Sequence, residues 1–208
     1  MIKDVYPAFA SPVCFLKLEN NWDQEYEKIK TTYELVNTSD KGNLSLISKC
    51  LFVLDNHPEL RDDVLKCFNL FQTEVLGYKN VNFAMTTSWL TKTEKGQYSK
   101  QHCHKNSVYS GVLFLEDSSE QTGLFHISDA STPKFWSFGP KYIETPNIFN
   151  QDDLFIKPEK NLIVIFPSHL QHEITQHMSE ECRHSIAFNM FPNGEYMNAD
   201  SSINVTIR

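Results

Sequence analysis

The sequence predicts a mainly β, α+β fold: a β-sandwich or barrel with N-terminal helices packed on it. Two observations carry this. Short runs rich in β-branched and aromatic residues follow one another from residue 82 to residue 191, punctuated by turn residues. Two segments of helical period precede them. A chain of 208 residues suits one core, so residues 1–208 are expected to form a single domain. Residues 1–80 would supply a strand and supporting helices, 81–192 the β core, and 193–208 a tail or last strand.

Residues 5–18 read as an extended apolar strand through Phe9-Ala10-Ser11-Pro12-Val13-Cys14-Phe15-Leu16. Residues 22–37 carry Trp22, Tyr26, Ile29 and Tyr33 at near-helical spacing, which predicts a helix. Residues 58–77 predict a second one. Pro58 suits its first turn, Leu60, Val64, Leu65, Phe68, Leu70, Phe71 and Val75 form its stripe, and Gly77 its stop. From residue 81 the period changes. Strands are predicted over 82–90, 98–104, 107–116, 122–127, 153–157, 161–167, 170–176 and 182–191. Breaks fall at Lys95-Gly96, Asp117-Ser118-Ser119, Pro158-Glu159-Lys160 and Pro192-Asn193-Gly194. Residues 129–152 lack a clear period and hold Trp136, Phe138, Tyr142 and Phe149 among prolines and Gly139. A loop this long reads as an active-site lid or, equally, as a packed insertion.

Composition narrows the function. Apolar content of 40% and charged content of 22% are ordinary for a soluble protein. No apolar run approaches the roughly 20 residues of a membrane span, and Met1-Ile2-Lys3-Asp4 does not open a signal peptide. A cytoplasmic protein without a membrane partner is expected. The net charge of −7 weighs against broad nucleic-acid binding, which needs a basic face. An exposed strand edge leaves room for a homodimer. The five cysteines are odd in number and form no CxxC pair, which fits reduced thiols.

The chemistry-bearing residues cluster in the second half. His102 and His104, at i and i+2 on a strand, would share one face, with Cys103 turned the other way as a small core residue. The apolar strand Asn161–Phe166 ends in a Pro turn, and His172 follows on the returning strand. Three imidazoles with open positions beside them suit a non-haem metal, with a histidine in the slot where the usual iron triad has a carboxylate. His169 is a neighbour of lower rank. His126, His177 and His184 read as surface or packing residues, and His57 as a residue before a helix. Arg183 and Ser185 share a strand face, and a guanidinium fork beside a hydroxyl suits a carboxylate. On an otherwise apolar strand such an arginine needs a partner. Asn189 lies on the same face and is expected to line the same cavity. Tyr109, Asn106 and Trp89 are further candidates for its wall.

These residues also carry a family resemblance. Gln101-His102-Cys103-His104-Lys105-Asn106-Ser107-Val108-Tyr109-Ser110-Gly111-Val112, Phe166-Pro167-Ser168-His169-Leu170-Gln171-His172 and Arg183-His184-Ser185-Ile186-Ala187-Phe188-Asn189 resemble three ordered motifs of 2-oxoglutarate/Fe(II) oxygenases of bacteria and phages. The likeness spans roughly residues 9–192. It implies a double-stranded β-helix of the jelly-roll, cupin-like kind and Fe(II) on His102, His104 and His172. It also implies 2-oxoglutarate as co-substrate, anchored by Arg183 and Ser185. The implied reaction consumes O₂, releases succinate and CO₂, and hydroxylates a substrate that neither fold nor metal identifies. Two alternatives stand beside it. A cupin-like metal protein would not use 2-oxoglutarate, but Lys105 to Val108 lack the glutamate that cupins place after H-x-H. A non-catalytic β-helix binding module is the other.

Overall fold

The computed structural model describes residues 4–5, 10–128 and 140–207. Phe9 of the expected opening strand, and residues 129–139 of the expected lid with Trp136 and Phe138, lie outside the described residues.

The chain begins with strand β1 (Cys14–Lys17), helix α1 (Asp23–Thr32), strands β2 (Leu35–Asn37) and β3 (Leu46–Ser48), and helix α2 (Pro58–Leu70). All eight strands expected after residue 81 form. They are β4 (Phe83–Thr93), β5 (Ser99–His102), β6 (Tyr109–Phe114), β7 (Phe125–Ser128), β8 (Asp153–Ile156), β9 (Leu162–Pro167), β10 (Gln171–Ile174) and β11 (Arg183–Pro192). β12 (Gly194–Tyr196) and β13 (Ile203–Val205) pair as a separate ribbon in the C-terminal segment. A seven-stranded sheet runs β1-β9-β6-β11-β4-β3-β2, and a four-stranded sheet β5-β10-β7-β8 faces it. The fold is a double-stranded β-helix with helices on the outside of the larger sheet. No helix among the described residues is long and apolar enough to cross a membrane.

The N-terminal expectations need correction. The opening strand is shorter than 5–18, because pairing with β9 starts at Cys14↔Ile165 and ends at Lys17↔Leu162. The helix expected over 22–37 stops at Thr32. The Thr31 and Thr32 hydroxyls donate back to the Glu27 and Lys28 carbonyls, Tyr33 turns extended, and Leu35–Asn37 instead pairs with β3. Local period matched a helix, but β-branched residues at its end and a ladder partner ended it early. The second helix is regular to Leu70. It widens into a π-turn over Phe71–Val75 before Gly77 reverses the chain at φ 64°.

The central strands β6 and β9 of the larger sheet are covered on both faces, and β9 reads as a continuous apolar run. On the helical side Tyr26, Ile29, Leu60, Val64, Phe68 and Phe71 pack on Leu90, Leu113, Ile163, Ile186 and Phe188. On the inner side Val112, Phe114, Val164 and Phe166 meet Phe125, Ile127, Ile156 and Ile174 of the smaller sheet. Each such side chain contributes about 1.5–3 kcal/mol on full burial. β6 shows the alternation that matters for the site. Tyr109 and Leu113 face the helices, whereas Ser110, Val112 and Phe114 face inward.

Candidate active site and metal centre

A cavity of about 360 Å³ lies between the two sheets, with His102, His104, His172, Arg183 and Ser185 on its wall. The smaller sheet supplies His102 and His172, which are direct partners across the β5–β10 ladder. His104 arrives differently from the strand alternation expected. β5 ends at His102, and the His104 backbone N–H leaves the ladder to donate to the Ser168 carbonyl at 2.9 Å. The turn, rather than the pleat, brings it round. Cys103, expected in the core, is half-buried. His169 is exposed in the turn before β10 and lies outside the histidine cluster.

The three rings converge, with centroids 4.3 Å (His102–His172), 4.9 Å (His104–His172) and 5.2 Å (His102–His104) apart. Each Nδ1 is already engaged. That of His102 meets the Lys100 carbonyl at 2.8 Å, that of His172 the Leu170 carbonyl at 3.0 Å, and that of His104 the Asn189 Oδ1 at 2.7 Å. Carbonyl oxygens only accept, so each neutral ring carries its proton on Nδ1 and turns the Nε2 lone pair to the cluster. The Nε2 atoms of His102 and His104 are 3.3 Å apart. Two lone pairs facing at that distance repel unless a cation lies between them. Metal–nitrogen bonds of about 2.0–2.1 Å separate neighbouring ligand nitrogens by about 3 Å. The donor set therefore fits a divalent metal.

Burial favours the same state. His172 is pushed down to about 3, by desolvation first and then by the neighbouring His102, with His104 a smaller contribution. His104 is also lowered, chiefly by desolvation. Both stay neutral and free to ligate at neutral pH.

Arg183 is 4% exposed, and Nε, Nη1 and Nη2 have no hydrogen-bond partner among the described residues. Burial lowers its pKa to about 10, with Glu116 acting in the opposite direction. It still carries its charge at neutral pH. A buried guanidinium left unpaired in a cavity is costly unless an anion joins it. Ser185 on the same strand face is 3% exposed and lines the same cavity. Ile47, Thr91 and Trp89 complete the wall nearby, and the Trp89 ring stands 5.8 Å from that of His104.

Other expectations fare differently. Asn189 shares the strand face with Arg183 and Ser185, but it sits behind His104 as its hydrogen-bond partner. Tyr109 faces away from the cavity, packed edge-on against Phe68, Phe71 and Phe83 under the helices. Asn106 is exposed and off the wall. His126 is buried and bridges Glu173 and Asp153, His184 pairs with Glu116, and His177 accepts from the Gly123 N–H at Nδ1 and donates from Nε2 to the Glu181 carbonyl. These three are packing residues. His57 is buried too, against Tyr33 and Glu25. Of the expected lid, residues 141–152 are not on the cavity wall, and Tyr142 and Phe149 are exposed. The sequence reading missed Ser110 and Ser168, both fully buried beside His104 and Asn189. The signal was present: each serine stands inside a motif that also carries a histidine.

Residues 87–189, about half of the chain, match the family described as "Putative 2OG-Fe(II) oxygenase". No curated protein matches the sequence. Among solved structures, the carbocyclase SnoK from nogalamycin biosynthesis shares 13% identity, with TM-score 0.62 over 92% of this chain and 84% of that one. HygX from Streptomyces hygroscopicus, solved with nickel, 2-oxoglutarate and hygromycin B, shares 10% identity, with TM-score 0.61 over 88% of this chain and 83% of that one. A Pseudomonas putida prolyl-4-hydroxylase shares 14% identity, with TM-score 0.53 over 88% of this chain and 93% of that one. At these identities the likeness concerns the fold. With the matched motifs and the cavity they surround, the chain belongs to the 2OG-Fe(II) oxygenase family.

Proposed function

We propose that the enzyme hydroxylates an organic substrate at Fe(II) held by His102, His104 and His172, with 2-oxoglutarate anchored by Arg183 and Ser185. The observation that carries this reading is the coexistence, in one cavity, of three converging imidazoles and a buried guanidinium without a partner. A metal-binding module with no anionic co-substrate would have no use for the second feature. That favours the oxygenase over a cupin-like protein that lacks the keto acid.

Bound there, Fe(II) with 2-oxoglutarate and O₂ supplies an oxidative decarboxylation to succinate and CO₂, and with it the power to oxidise a C–H bond. The residues do the rest. The histidines present neutral nitrogen lone pairs and contribute no charge, so the site remains cationic toward an incoming carboxylate. Arg183 offers a planar donor fork in a low-dielectric wall, where a charge-assisted bond is strong. Ser185 adds a hydroxyl donor on the same face. Trp89, Ile47 and Val112 add apolar surface to the wall of the same cavity.

The test is succinate release from 2-oxoglutarate in the presence of Fe(II), O₂ and ascorbate, scored with and without panels of candidate substrates. Metal- and 2-oxoglutarate-dependent succinate, lost in Arg183→Ala, supports the reading. Metal binding with no succinate and no response to 2-oxoglutarate contradicts it.

A further inference from the structure

We infer that Asn189 is a positioning residue for His104: through a buried network with Ser107, Ser110 and Ser168 it fixes the ring's tautomer and aim. The inference rests on the histidine cluster being the metal site.

His104 needs such support more than its companions. His102 and His172 are held by strand pairing, and each Nδ1 is met by a backbone carbonyl of its own strand or turn. His104 lies past the end of β5, and its backbone N–H donates to the Ser168 carbonyl instead of to a ladder partner. Its side chain is held from elsewhere. Asn189 Oδ1 lies 2.7 Å from Nδ1, and Ser110 Oγ lies 2.8 Å from it. Ser110 Oγ also donates to Asn189 Oδ1 at 2.9 Å and lies 2.8 Å from Ser168 Oγ. Ser107 Oγ lies 2.7 Å from Ser168 Oγ. Asn189, Ser110 and Ser168 are all at most 4% exposed.

Donor logic sets the direction of this network. Asn189 Nδ2 donates to Thr87 Oγ1 at 3.1 Å, and Oδ1 faces the histidine. An amide oxygen can only accept, so Nδ1 must carry the proton. The opposite tautomer would put a nitrogen lone pair 2.7 Å from the Oδ1 lone pairs. Asn189 thus orients His104, and His104 presents Nε2 to the cluster. Outer hydrogen bonds of this kind tune ligand strength in metal sites. Here the outer group is a neutral amide, so it adds direction without adding charge.

The test uses full-length protein labelled with ¹⁵N on histidine, first without metal. Long-range ¹H–¹⁵N spectra of the wild type should show His104 as the Nδ1–H tautomer. Asn189→Leu, similar in volume but without an acceptor, should lose that preference. Its affinity for Co(II), measured by competition with a chelator, should fall by about 10- to 100-fold. Asn189→Asp, which keeps the acceptor, should retain the tautomer and bind Co(II) at least as tightly as the wild type. Thr87→Val gives a second route that leaves Asn189 and the serines in place. Freed of its partner, the amide can flip, and the tautomer becomes mixed. An Asn189→Leu or Thr87→Val protein that folds and keeps the wild-type tautomer and Co(II) affinity overturns the inference. If the wild type itself binds no Co(II) through its histidines, the metal-site reading fails. The metal-free spectra then still decide whether Asn189 sets the tautomer.

Discussion

The Arg183 guanidinium carbon lies 5.1 Å from the centroid of the Phe114 ring, and its three nitrogens have no hydrogen-bond partner among the described residues. The ring face compensates part of the cost of burying the charge, by about 0.5–2 kcal/mol. The carboxylate that acts on Arg183 from nearby, Glu116, is already engaged by His184 and by Lys30. The fold therefore gives the cation no hydrogen-bonded carboxylate among the described residues.

Arg183→Met separates these roles. Removing a buried unpaired charge at similar volume should leave the ligand-free protein as stable, or more stable by about 1–3 kcal/mol. The same variant should lose the response to 2-oxoglutarate. In the wild type, ligand at 100 times its Kd stabilises by about 2.7 kcal/mol. Thermal melts with and without 2-oxoglutarate check both halves. A variant that still shifts with ligand would remove Arg183 from the anchor.

Proton linkage gives a second prediction. Burial and the neighbouring His102 push the folded-state pKa of His172 down to about 3, and His104 is also lowered. The unfolded chain, with histidines near 6.5, then binds more protons between those values, and stability rises with pH there. The metal-free protein should lose stability as pH falls below about 6.5, and the loss should continue toward the folded pKa of His172. Denaturant melts across that range check it. His172→Gln should flatten the slope.

Tyr109 and Asn106 offer a negative control. Tyr109 packs under the helices, and Asn106 is exposed off the cavity wall. Tyr109→Phe and Asn106→Ala should leave the 2-oxoglutarate affinity of the metal-loaded protein within about twofold, because surface and single-hydroxyl changes away from a site cost little. Equilibrium titration tests this.

Much of the fold was legible because period and burial agree. The strands β4 to β11 were found because each has two covered faces or a clear turn at its end. Leu35–Asn37 was misread because its helical period could be satisfied locally, while its true partner, Leu46–Ser48, is too short to announce itself. The histidines and Arg183 were legible because imidazoles and a guanidinium are out of place on apolar strands. Asn189 and the serines were not assigned their role, because small polar side chains occur on either face of a strand. Their function depends on what stands opposite, here a histidine 85 residues away.

Gly111 gives the fourth prediction. A Cβ there would overlap the Phe188 ring, which covers the helical face of β6 directly. Gly111→Ala should destabilise by about 1–3 kcal/mol through forced repacking. In a chain of this size each kcal/mol corresponds to a fall in Tm of about 2–4 °C. Calorimetry of the metal-free variant checks it, and an unchanged Tm would mean that Phe188 moves freely.

The central claim is that one cavity holds both a metal and 2-oxoglutarate, and one titration tests it most directly. Fe(II)-loaded protein is titrated anaerobically with 2-oxoglutarate while the weak visible charge-transfer band of the chelate is followed. The account predicts a saturable band in the wild type, absent in His172→Ala and displaced to much higher 2-oxoglutarate concentration in Arg183→Ala. Iron bound with no band, or a band unchanged in both variants, would contradict it.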